Sequence, residues 1–227
     1  MEKSVASDRT GAARWLTIHD DLLRGMTHAL SNRVGTILAA VSLLEIGQSG
    51  GVQPLETLRL EADRLETLLQ TLRQLPRHKE QSPEPLLPTD VARAAIELYA
   101  HHPDGRDVAC VVHLDGDMMP AWGDAAAIEL AVTAALTGAK RHVGAGDGIA
   151  IHIGGTDDVV HFDVRFDMRG EPTSAIGSND DIDRELALDA SAANWLVSEC
   201  GGRAQAHATG IVIEVPTLAA ARRARTR

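Results

Sequence analysis

The 227-residue chain is 44% hydrophobic and 24% charged, with a formal net charge of −10, the balance of a folded globular protein rather than a disordered or fibrous one. No run approaches the roughly 18 consecutive apolar residues of a membrane span, and the N-terminus MEKSVASDRTG lacks the apolar segment of a signal peptide, so the sequence predicts a cytoplasmic protein with no membrane partner. Residues 1–77 hold nine basic and nine acidic residues, leaving 13 and 23 for residues 78–227; that acidic excess excludes nucleic acid as a partner, since phosphate binding needs a basic surface and the only basic run is the tail at 218–227.

From residue 12 to 46 there is no proline, and Leu23, Met26, Leu30, Val34, Ile37, Val41 and Leu44 recur in steps of three or four. This is the stripe of a long amphipathic helix. A glycine-rich connection at 47–51 follows, and Pro54 suits the first turn of a second helix. Its stripe is Leu55, Leu58, Ala62, Leu65, Leu69 and Leu72, with Glu56, Arg59, Asp63, Arg64 and Glu66 outside it. The two helices predict an antiparallel hairpin over 12–77. One hairpin cannot bury two full apolar seams, so the pattern predicts a homodimer closed as a four-helix bundle.

Residues 78–88 contain Pro83, Pro85 and Pro88 among polar residues and read as a linker, with Thr89 or Asp90 as the next N-cap. From 89 to 217 helices and strands alternate. Helices are expected at 91–100, 124–140 and 183–200, and strands at 108–114, 149–153, 159–166, 203–206 and 211–215. The fold class is therefore α+β, a helical hairpin followed by an α/β sandwich whose helices cover one face of a mainly antiparallel sheet. Cys110 and Cys200 lack metal-ligand spacing and read as buried thiols; no metal or cofactor is expected.

His28 lies two residues from both Met26 and Leu30, so at 100° per residue it points about 200° from the stripe, outward. Asn32, Gly35 and Ala39 follow on its own face, a polar group and two small residues that leave room for another protein. His19 falls on the seam and reads as packing. The run His28-Ala29-Leu30-Ser31-Asn32-Arg33-Val34-Gly35-Thr36-Ile37 resembles the phosphoacceptor helix of sensor histidine kinases and their phosphotransferase relatives. The resemblance implies His28 as phosphoacceptor and Asn32 as the residue that orients a water or an aspartyl-phosphate. It further implies that Arg24, Ala29, Arg33, Gly35, Thr36 and Ala39 meet a response-regulator receiver domain. Ala29 stands where the family has an acid, and Arg33 where it often has proline.

Residues 89–217 are similar in order to the ATPase domain of the same families, but the nucleotide motifs are degraded. The metal-binding asparagines are replaced by Thr133 and Thr137, each a weaker oxygen ligand for magnesium. The adenine-binding Asp-x-Gly-x-Gly becomes Asp167-Met168-Arg169-Gly170-Glu171, with Arg169 and Glu171 where glycine allows close approach. The phosphate-cradling segment is Asp180-Asp181-Ile182-Asp183-Arg184-Glu185, whose carboxylates repel a triphosphate. The resemblance thus implies a histidine phosphotransferase of kinase form without ATP binding. It would exchange a phosphoryl group between His28 and receiver-domain aspartates, with a hybrid sensor kinase as a further partner. Alternatives are a non-catalytic protein that binds a kinase or regulator, a divergent sensor histidine kinase, and a receiver-domain phosphatase that depends on Asn32.

Overall fold

The computed structural model describes residues 2–46, 52–75, 82–105, 108–116, 119–144, 147–167 and 179–225. Two helices come first, α1 (Glu2–Ile46) and α2 (Val52–Gln74), then strand β1 (Glu84–Leu86) and helix α3 (Pro88–Tyr99). Strands β2 (Ala109–Leu114) and β3 (Ala121–Gly123) lead to helix α4 (Ala125–Lys140) and to strands β4 (Gly148–Gly155) and β5 (Val159–Asp167). Helix α5 (Asn179–Val197), strands β6 (Arg203–His207) and β7 (Gly210–Pro216) and helix α6 (Leu218–Arg225) complete the chain. The α+β class read from the sequence is the class observed.

Five strands form one sheet in the order β2-β4-β5-β7-β6. Only β2 and β4 are parallel, with Cys110 opposite Ile149; the other neighbours run antiparallel. Period-2 alternation sends Ile149, Ile151 and Ile153 of β4 and Val160, Phe162 and Val164 of β5 to one face. There α3, α4 and α5 pack on them with Ala131, Ala135, Leu136, Ala193 and Val197. Ala residues in α4 let it lie close to its neighbours.

Three expectations need correction. Residues 84–86, assigned to the linker, form β1 and pair antiparallel with β3, which was not foreseen; Pro85 sits opposite Trp122. Proline is tolerated in this two-stranded edge, and three residues are too few to display a period. Helix α3 begins one turn early, with Leu87 as its cap and Pro88 in its first turn, because proline lacks the N–H that the first turn leaves unpaired. Asp124, placed inside the next helix, instead caps α4 by accepting a hydrogen bond from the Ala127 N–H at 3.2 Å. The connection at 47–51 and residues 78–81 lie outside the described residues. Cys110 and Cys200 carry no disulfide and are half-buried, and burial pushes the Cys110 thiol up to about 11, which keeps it protonated.

The hairpin is present, but the first half of α1 also has a second partner. Trp15, Ile18, Leu22 and Met26 are buried in the same core as the sheet and its helices. Gly11 and Gly25 mark the closest approaches: a Cβ on Gly11 would fall 2.3 Å from the Ser191 carbonyl oxygen of α5, and one on Gly25 1.8 Å from that of His101. Gly11, Trp15, Ile18, Leu22 and Gly25 are spaced 4, 3, 4 and 3, one face of the helix. Arg14 Nε adds an ion pair of 2.6 Å to Asp189 on α5, whose side chain is 1% exposed, and Arg141 reaches the same carboxylate at 3.1 Å. Burial pushes the Asp189 carboxyl up, and Arg14 pulls it partly back.

Candidate functional site

Helix α1 leaves the α/β body just beyond Gly25, and His28 is exposed one turn later. The Asn32 amide nitrogen lies 3.3 Å from His28 Nε2, as the i, i+4 spacing of a helix allows. With the amide donating, Nε2 is the acceptor and the ring proton sits on Nδ1. The nucleophilic lone pair is then on the outer nitrogen. Gly35 follows on the same face, and nothing lies within 4 Å of where its Cβ would be. Ala39 and Thr36 are exposed; the Thr36 hydroxyl donates back to the Asn32 carbonyl at 3.0 Å. Arg24 is exposed and pairs with Asp20 at 3.0 Å and Asp21 at 3.3 Å. These residues, Arg24, His28, Asn32, Gly35, Thr36 and Ala39, form one open strip.

Ala29 and Arg33 do not belong to that strip. Ala29 is half-buried against the core. Arg33 turns the other way and binds Glu61 of α2 at 2.9 Å, while Arg64 reaches the same carboxylate at 2.6 Å. Burial opposes the charge on Glu61, but the two guanidinium groups outweigh it and hold the carboxyl below its usual range. At 100° per residue Arg33 stands about 140° from His28, so the helix period alone places it on the inner side. His19 packs its ring 5.8 Å from that of Trp15, and burial lowers its pKa.

Of the residues read as a degenerate nucleotide site, Thr133 and Thr137 have their hydroxyls bonded within α4. Thr133 is buried and its hydroxyl donates to the Glu129 carbonyl at 2.8 Å; the buried Thr137 hydroxyl donates to the Thr133 carbonyl at 3.0 Å. Both belong to the packing between α4 and its neighbours. Asp167 closes β5, its backbone opposite Gly148, while Arg169 and Glu171 lie outside the described residues. No group of three His, Cys, Asp or Glu among the described residues is placed to hold a metal ion.

Beyond the strip, the hairpin has an apolar seam open to solvent. Val34, Leu38 and Val41 of α1 are exposed, Leu38 to 61%, as are Leu55, Ala62 and Leu69 of α2, spaced seven apart. Leu58, Leu65 and Leu72 are half-buried. The segment Asp8–Ile46 also contains an 18-residue window of mean hydropathy 1.3, long and apolar enough to cross a membrane by length and composition alone. Asn32, Arg33, Thr36, Ser42 and Glu45 interrupt its apolar residues.

No family model and no curated protein matches the chain. Among solved structures it is similar to the Acinetobacter baumannii histidine kinase AdeS at 16% identity and a TM-score of 0.44, over 84% of this chain and 98% of that one. A bacterial phosphotransferase is similar at 15% identity and a TM-score of 0.43, over 88% of this chain and 95% of that one. The histidine kinase ThkA, in a complex with the response regulator TrrA, is similar at 13% identity and a TM-score of 0.44, over 95% of this chain and 66% of that one. These solved structures are mostly histidine kinase catalytic or cytoplasmic domains.

Proposed function

We propose that the chain is a histidine phosphotransferase of two-component signalling, accepting a phosphoryl group on His28 from the aspartyl-phosphate of a receiver domain and returning it to another. The observation that carries this reading is the exposed imidazole of His28, its Nε2 lone pair held by Asn32 beside the open ground at Gly35. Transfer forms a P–N bond at Nε2 and breaks the acyl P–O bond, whose electron pair leaves with the receiver's carboxylate. Positioning two side chains in line supplies most of such catalysis. Asn32 can pass its hydrogen bond from Nε2 to a phosphoryl oxygen as the new bond forms.

In this reading the receiver domain covers Arg24, Asn32, Gly35, Thr36 and Ala39, whereas Ala29 and Arg33 act by setting the helix from inside. Residues 12–77 serve both dimerisation and transfer. Residues 89–217 form a body that binds no ATP, a reading supported by the hydroxyls of Thr133 and Thr137 being bonded to helix carbonyls. Incubation with a phosphorylated receiver domain is the test. Label should move to the chain in an acid-labile, alkali-stable form, the chemistry of phosphohistidine, and titration with Mg-ATP in a calorimeter should give no heat of binding. Direct labelling of His28 by ATP would replace this reading with that of a divergent kinase.

The homodimer is supported by the seam of Val34, Leu38, Val41, Leu55, Ala62 and Leu69. Each large aliphatic side chain left in water forgoes roughly 1.5–3 kcal/mol. At 100° per residue the α1 seam is centred about 110° from His28, so a second copy can close the bundle without covering the acceptor. Leu38→Asp is expected to convert a micromolar dimer to monomer by light scattering while helix content is kept, because Leu38 makes no part of the monomer's core. A wild-type chain that is already monomeric under these conditions would exclude the dimer.

A further inference from the structure

A cavity of about 470 Å³ lies where the end of α2 meets α3 and the first half of α4. Its size falls in the range of small-molecule sites. The floor is apolar, with Leu75, Leu98 and Leu130. The Thr67 and Thr71 hydroxyls on its wall donate to carbonyls of their own helix, at 3.1 Å each, so they can only accept from a guest. Glu129 lines the same cavity, and no cationic side chain among the described residues is paired with it. A desolvated carboxylate facing an apolar cavity without a counter-ion is costly, and a guest that supplies the charge would offset that cost.

We propose that this cavity binds a small primary ammonium compound with an apolar body, the ammonium held by the Glu129 carboxylate and the Thr67 and Thr71 oxygens. The site is separate from His28 and stands whether or not the chain transfers phosphate. Burial, helped by the charge of Asp124, pushes the Glu129 carboxyl up to about 7, against an ordinary value near 4.3. The other titratable groups on the cavity are Glu97 of α3 and His101, just past the end of that helix; α2 contributes none. Deprotonation of Glu129 therefore creates the binding charge near neutrality.

The test uses 2-phenylethylamine, with 2-phenylethanol and 3-phenylpropanoate as neutral and anionic isosteres, followed by ligand-observed NMR and calorimetry on the full chain. The amine should bind saturably, at least about tenfold more tightly than either isostere. Its affinity should rise about tenfold from pH 6 to pH 8, following a carboxyl that titrates near 7. Glu129→Gln should lower amine affinity at least about tenfold, abolish the pH dependence and leave the alcohol unchanged. The variant should remain folded and melt higher than the wild type at pH 8. The raised carboxyl lets the unfolded chain ionise first, so native stability falls as pH rises from about 4.3 to 7 and the glutamine escapes that loss; the gain should vanish at pH 4. Ala94→Phe, which fills the cavity without touching the charge, should block amine and alcohol alike. Equal affinity of the amine for wild type and Glu129→Gln, equal binding of all three compounds, or no saturation by the amine at millimolar concentration would overturn the proposal.

Discussion

His28→Gln is expected to take no label from a phosphorylated receiver domain, a loss of at least about a hundredfold against the wild-type chain, with dimerisation and thermal stability unchanged. The exposed ring contributes nothing to the core, so its removal leaves only the chemistry to fail: glutamine offers an amide of similar length but no nucleophilic nitrogen. Gly35→Arg separates chemistry from approach. Its side chain would rise from open space two turns from His28, and a guanidinium there stands between the imidazole and an incoming aspartyl-phosphate. Transfer should fall at least about tenfold, although the helix itself gains on the order of 0.5–1 kcal/mol from losing a glycine. Asn32→Ala should chiefly change how fast phosphate is lost to water. The readout is transfer followed by gel autoradiography under conditions that preserve phosphohistidine. Undiminished transfer in both His28→Gln and Gly35→Arg would move the acceptor elsewhere, with His19 next in line.

The largest effect on stability is expected at Gly25. Alanine is the better helix former by about 1 kcal/mol, and on α1 alone Gly25→Ala should stabilise. In the folded chain its Cβ would lie 1.8 Å from the His101 carbonyl oxygen, a backbone atom that cannot swing aside. The helix must move off the α/β body and loosen Trp15, Ile18, Leu22 and Met26. Overpacking of this kind costs about 1–3 kcal/mol, or a melting temperature lower by roughly 3–10 °C for a chain of this size. Gly35→Ala has no such neighbour and should shift the melt upward by a few degrees. Opposite signs for the two variants, measured by circular dichroism, would establish that α1 is docked on the α/β body along its first half and clear of that body along its second. Equal stabilisation by both would show that the docked arrangement is not the one in solution.

Much of this protein was legible in the chain itself. Steps of three and four define α1 and α2, and alternation of isoleucine with Ala150 and His152 defines β4, because side-chain direction in regular elements follows the backbone period. The outward face of His28 comes from the same arithmetic, whereas Arg33, expected to face a receiver domain, turns inward to Glu61. What a helical period cannot tell is which partner a face will meet. Gly11, Trp15, Ile18, Leu22 and Gly25 have the spacing of a bundle seam, yet they pack on α5 and the segment before Pro103; only the space left by two absent side chains, fitted to two carbonyls distant in sequence, decides it. The pairing of β1 with β3 was equally hidden, since three residues show no pattern until a partner strand supplies their hydrogen bonds. Nothing in the sequence around Glu129 announces a cavity. Burial against a cavity formed by three helices, set by the packing of α2 on the α/β body, is what gives Glu129 an unpaired charge near neutral pH.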